Sequence, residues 1–189
     1  MTDRPAPGEA RMSGALVLEH RRILADLCGP ARFEQVLLRL PADARREYDE
    51  ITPVAWPRVS TAEAVVRAAA AELGRDFVEL HEHLARTGVE KTLTTLWRLL
   101  LRFTSDDALV ARTPRIYARA LNRGELVPRI TGIGRAEIRI AGWPDIPEFS
   151  SRGIRIAIET VLRLAGRTDV RIDEELRHDG RAFLASWRP

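Results

Sequence analysis

The chain is expected to fold as an α+β protein, with a helical N-terminal two-thirds packed on a C-terminal antiparallel sheet of β-β-α-β-β order. Three observations predict this. Between residues 23 and 103 apolar residues recur at three- and four-residue spacing. After Asn122-Arg123-Gly124 the period drops to two, over 126–131 and 136–141, with Gly132-Ile133-Gly134 between the two runs. The final stretch then repeats the change. A helical run over 151–165 stops at Gly166, and alternating runs over 170–177 and 181–187 flank His178-Asp179-Gly180, where glycine suits a tight turn.

In chain order, the apolar run over 13–18 is a first strand or the lead into a helix. Ile23, Leu24 and Leu27 continue as helix to Gly29-Pro30. Phe33, Val36, Leu37 and Leu40 mark a second helix that Pro41 stops, and Pro41 can open another turn through Tyr48. Ile51 to Val59 holds two prolines, so it is a connector, anchored by Trp56. Ser60-Thr61-Ala62-Glu63 reads as a capping box opening an alanine-rich helix to Gly74. Phe77, Leu80, His81 and Leu84 line a helix ending near Gly88. The run over 89–103, with Leu93, Leu96, Trp97, Leu100 and Phe103, is apolar nearly all round and is expected to be central. Trp143-Pro144-Asp145-Ile146-Pro147 is a rigid loop. In the helix after it, Ile154, Ala157, Ile158, Val161, Leu162 and Ala165 share one face.

The chain has 189 residues, 45% apolar and 30% charged, which suits one globular domain over 13–189 after a disordered tail over 1–12. No apolar run reaches the roughly 18–20 residues of a membrane span. The N-terminus has no apolar core of a secretory signal. With a lone Cys28, a cytoplasmic location is expected. The pI of 9.7 hides a net charge of only +3. The arginines are interleaved with acids, so a nucleic-acid partner is not expected.

Little in the chain carries chemistry by spacing alone. His81 and His83 sit about 200° apart on a helix, so their imidazoles diverge and no metal is expected. His81 reads as a packing residue and His83 as solvated. Gly132-Ile133-Gly134 lacks the lysine and following helix of a phosphate loop. Cys28 reads as a buried structural thiol. Asp106-Asp107 reads as a helix cap and Glu174-Glu175 as a solvated strand face. The aromatic set Trp56, Trp97, Phe103, Tyr117, Trp143 and Trp187 either packs the core or walls an apolar pocket. Arg115, Arg119, Arg123 and Arg129, near the helix-to-sheet junction, form either a charged surface or a hold for an anionic group at that pocket. On the pocket reading Trp97, Leu100, Tyr117, Ile154 and Ile158 are walls and Arg119 is the anion contact. No residue is assigned a catalytic role, and no cofactor is expected.

Residues 96–187 resemble an uncharacterised paralogous family expanded in myxobacteria. The likeness lies in Pro114-Arg-Ile-Tyr-Ala-Arg-Ala120, the Gly124 region, the loop before Ser150, and the ending Gly166-Arg-Thr-Asp-Val-Arg-Ile172 with Ser186-Trp187. The β-β-α-β-β arrangement also resembles the ligand-binding fold of 4-vinyl reductase-type domains, heme-NO sensors and TRAPP transport-particle subunits. That resemblance implies an α/β domain, often dimeric through its helices, sometimes with a buried apolar ligand. The chain departs from it in two places. No cysteine lies near the last hairpin, and Tyr117-Ala118-Arg119 has neither the serine nor the spacing of the heme sensors' Tyr-x-Ser-x-Arg signature, so heme is not expected. The expected function is a non-enzymatic cytoplasmic sensory or regulatory domain. Its partner would be a small apolar or amphipathic ligand or another protein, reached through a groove between the helical layer and the sheet. The alternative is a scaffold or assembly protein acting through helix-mediated homodimerisation or protein docking.

Overall fold

The computed structural model describes residues 8–92 and 105–188. It is α+β, with helices leading and a four-stranded antiparallel sheet closing the chain. Internal contacts divide it into two compact units, Met1–Gly88 with Ala120–Asn122, and Val89–Arg119 with Arg123–Pro189.

The first unit is built on α1 (Gly14–Cys28), α2 (Pro30–Leu38), α3 (Ala42–Asp49), α4 (Val59–Leu73) and most of α5 (Phe77–Thr92). The run over 13–18 becomes helix because the Ser13 carbonyl accepts from the Leu16 and Val17 amides, both at 3.1 Å. Val17, Ile23 and Leu24 then fall on the buried face of α1. Pro30 opens α2 at a position where its missing N–H costs nothing. Val36, Val65, Val66, Leu80 and Leu84 are almost wholly enclosed, and each contributes about 1.5–3 kcal/mol by leaving water.

Two expectations about this unit are corrected. The capping box does not form: α4 starts at Val59 with Arg58 as N-cap and no side-chain cap. The Thr61 hydroxyl donates instead to Glu47, and Glu63 pairs with Arg67 one turn on. Gly88 does not end its helix, since α5 runs through it to Thr92. Gly88 packs against the His20 ring, where a Cβ would stand 3.5 Å from two ring atoms, an ordinary contact distance.

At the start of the described chain Arg11 bridges to Arg58 and Met12 to Leu121. Asn122 fastens this segment by accepting from the Arg11 amide at 2.7 Å and donating to the Glu9 carbonyl at 3.2 Å. These pairings involve residues of the stretch read as a tail.

The second unit holds α6 (Asp106–Val110), α7 (Thr113–Ala120, but for its last residue), β1 (Glu125–Gly132), β2 (Arg135–Ala141), α8 (Glu148–Leu164), β3 (Thr168–Arg177) and β4 (Gly180–Arg188). The β-β-α-β-β order is as expected, and the sheet runs β1-β2-β4-β3 with every pairing antiparallel. One face carries Ile138, Ile140, Phe183, Ala185 and Trp187, all buried. The other carries Arg135, Glu137, Arg139 and their cross-strand partners Ser186, Leu184 and Ala182. Gly180 is required at the last hairpin because a Cβ there would stand 1.9 Å from the Ile140 carbonyl oxygen. Of the expected central helix over 89–103, the first four residues continue α5. Leu93, Leu96, Trp97, Leu100 and Phe103 lie outside the described residues.

Candidate functional site

Of the expected pocket residues, Trp97 and Leu100 lie outside the described residues. The remaining four belong to the second unit. Tyr117 is buried, on α7, and its hydroxyl donates to the Arg123 carbonyl at 2.6 Å. Gly124, at φ +73°, lets β1 begin against it: a Cβ there would meet the Tyr117 hydroxyl at 3.1 Å and Ile140 at 2.9 Å. Arg119 is exposed in the last turn of the same helix. Ile154 is buried on α8, Ile158 only half-buried, and the most enclosed isoleucine of that helix is Ile156.

The Tyr117 junction leads to Trp143. Arg123 pairs with Asp145 at 2.8 Å and lies 5.9 Å from the centre of the Trp143 ring. The Trp143 amide donates to the Asp179 carbonyl at 3.0 Å, tying the rigid loop to the last hairpin. Trp143 is fully enclosed, and its indole N–H reaches no acceptor. Of the four arginines grouped in the sequence, Arg123 and Arg129 are held by Asp145 and Glu137, while Arg115 and Arg119 are exposed.

Two polar clusters escape sequence reading. Glu174 does not sit on a solvated face: Ser151 donates to it at 2.8 Å, Arg181 donates to it at 2.9 Å, and Arg155 stands 3.3 Å from it. This ties α8 to β3 and β4 from inside. Asp106 does more than open α6. Its two carboxylate oxygens accept from Arg167 at 2.7 Å and from the Trp187 indole at 3.2 Å. The partners lie 61 and 81 residues away, so no local motif announces them.

In the first unit His20 is buried, with no hydrogen bond at Nε2, and burial pulls its pKa down to about 4. His81 is buried and stacked on Phe77 at 6.2 Å, and His83 is exposed, as expected of both. Cys28 is buried, and burial pushes its thiol up. An open cleft of about 620 Å³ lies among Arg11, Asp43, Glu47, Trp56 and Arg58, and its walls are mostly charged. Burial pushes the Glu47 carboxyl up, but hydrogen bonds from Thr61 and Arg58 outweigh it and hold Glu47 below its ordinary value. Among the described residues no group of three or more His, Cys, Asp or Glu could hold a metal ion. Among them, too, no helix is long and apolar enough to cross a membrane.

No protein-family model matches the chain, and no curated protein does. Solved structures do match. The Fe(II) unliganded H-NOX protein from K. algicida has a TM-score of 0.68 at 11% identity, over 94% of this chain and 97% of that one. An oxygen-binding H-NOX domain related to soluble guanylate cyclases gives 0.65 at 14% identity, over 94% and 96%. A variant of the T. Tengcongensis H-NOX gives 0.63 at 14% identity, over 94% and 98%. The chain therefore has the H-NOX fold, the heme-NO sensor branch of the resemblance drawn from its C-terminal arrangement.

One such neighbour is described for the distortion of its heme, so the fold implies that group. Heme iron needs an axial nitrogen, thiolate, thioether or phenolate facing the macrocycle. Of the chain's four histidines, His20 turns its ring to the close-packed α5 backbone at Gly88 and His81 is stacked on Phe77. His83 and His178 are exposed. Burial favours the protonated Cys28 thiol and Tyr48 phenol, Arg21 covers the Tyr48 ring at 4.3 Å, Met12 is enclosed where it bridges to Leu121, and the Tyr117 hydroxyl is already committed. The described residues do not fit a heme.

Proposed function

We propose that this chain is a non-enzymatic, cytoplasmic sensory or regulatory domain that binds a small apolar or amphipathic ligand without heme, or relays through a protein partner. The observation that carries the reading is the likeness to H-NOX domains over 94% of the chain, one of them named for binding oxygen. The misfit of the histidines to heme separates this chain from those relatives in what it would bind. Trp97, Leu100, Tyr117, Ile154 and Ile158 are the proposed walls and Arg119 the proposed anion contact. The Trp143 indole, enclosed and without an acceptor, supports a polar end to such a site. Membership of the myxobacterial paralogous family belongs to the same proposal, as does a homodimer.

Native mass spectrometry of the purified full chain tests it. The expected result is a discrete non-covalent adduct that is lost on unfolding and depleted in Arg119→Ala. A monodisperse apo mass for the wild type, with no dimer, contradicts both the ligand version and the homodimer.

A further inference from the structure

The sheet face turned away from Trp187 and Phe183 carries a feature that the proposed pocket does not use. Register sets Arg135 of β2 opposite Ser186 of β4, and Ser186 opposite Arg171 of β3. Directly paired residues share a face, so these side chains form one row across three strands. At about 4.8 Å between strands, the two arginine backbones stand roughly 10 Å apart with the serine midway.

The row is short of negative charge. Arg129, Arg139 and Arg177 on the same face each face a carboxylate, at 2.5, 4.0 and 2.5 Å. Arg135 and Arg171 are exposed and make no ion pair or side-chain hydrogen bond, and the Ser186 hydroxyl has no partner either. Gly132 of β1 completes the row beyond Arg135 and brings no side chain. Of the nearby acids, Glu137 is held by Arg129 and lies 3.7 Å from Arg177, and Glu175 is held by Arg177. Asp173, one row on, is exposed and makes no ion pair with Arg171.

We infer that the Arg135–Ser186–Arg171 row binds a phosphate monoester group. Two guanidinium forks and a hydroxyl can donate together to the three free oxygens of a tetrahedral dianion. A phosphodiester has fewer free oxygens and less charge, which disfavours a nucleic-acid backbone. The site is separate from the proposed pocket and does not rest on it.

The full chain is titrated with inorganic phosphate, with arginine Nε–H NMR signals as readout. It is also sedimented with phosphatidylcholine vesicles with and without phosphatidic acid. A saturable shift with phosphate identifies a soluble source; binding only to phosphatidic acid vesicles identifies a headgroup. In whichever arm binds, Arg135→Ala and Arg171→Ala each weaken binding on the order of tenfold. Ser186→Ala weakens it less and Asp173→Asn strengthens it. Arg75→Ala, which removes an equal charge from an exposed site in the other unit, leaves it unchanged. The inference is overturned by no binding in either arm, by binding that survives both arginine substitutions, or by an equal loss in Arg75→Ala.

Discussion

The two units bury their polar groups in opposite ways. The first keeps enclosed titratable groups uncharged: His20 far below its usual pKa, Tyr48 pushed up to about 12 by burial, and Cys28 raised. Its charged network of Glu47, Arg58 and Asp43 encloses the Glu47 carboxylate but leaves the Arg58 side chain 25% exposed. The second encloses its arginines further. The Arg167 and Arg181 side chains are only 10% and 14% exposed, against Asp106 and Glu174 at 25% and 23%. A neutral buried imidazole makes stability follow pH, whereas a buried ion pair makes it depend on both partners being present.

The sharpest way to break that contrast is to remove one partner in the second unit. Asp106→Ala leaves Arg167 without its counter-charge and the Trp187 indole without an acceptor. The expected loss is about 3 kcal/mol in denaturant unfolding. The expected cap role falls to Ser105, which accepts from the Ala108 amide at 3.3 Å, and a loss near zero would leave Asp106 as only a first-turn acid of α6.

The next effect is the pH response of the first unit. The folded His20 pKa of about 4 lies below the ordinary 6.5, so the unfolded chain takes up the proton first. Stability from this residue is complete above pH 6.5 and declines as pH falls toward 4, by up to about 1.4 kcal/mol per pH unit. Unfolding measured between these limits should show that slope, and His20→Leu should flatten it. Glu47, held below its ordinary value, has the same sign but acts only at more acid pH.

The smallest effects compare two residues of one helix. Tyr117→Phe loses the bond to the Arg123 carbonyl, an expected cost of about 1 kcal/mol. Arg119→Ala, exposed, should change thermal stability by less than about 0.5 kcal/mol. A larger cost at Arg119 would mean that it is structural and not a contact for a ligand.

The legible part of the sequence was the part that local chemistry decides. Alternation over 126–131, 136–141 and 170–177, with glycines at the turns, was enough for both hairpins and for α8 between them. The N-terminal helices followed from apolar spacing and from Pro30 and Gly74. What failed depended on distant groups. The capping box lost Thr61 to Glu47, which lies 14 residues earlier. Gly88 looked like a stop because glycine is a poor helix former, yet the helix continues through it to Thr92. Glu174 looked solvated because Ser151 and Arg181 meet it only once α8 lies along β3 and β4. For the candidate site, residue types suggested Tyr117 and Ile154 as apolar walls, but no spacing rule pointed to the enclosed indole N–H of Trp143.

The two buried imidazoles of this H-NOX fold, His20 and His81, pack against Gly88 and Phe77, and the described residues do not fit a heme. The direct measurement is a titration of the purified full chain with hemin under reducing conditions, read by its absorption spectrum. The expected result is no Soret band of a ligated heme and no change in His20→Ala. A stoichiometric Soret band that disappears in His20→Ala would contradict it.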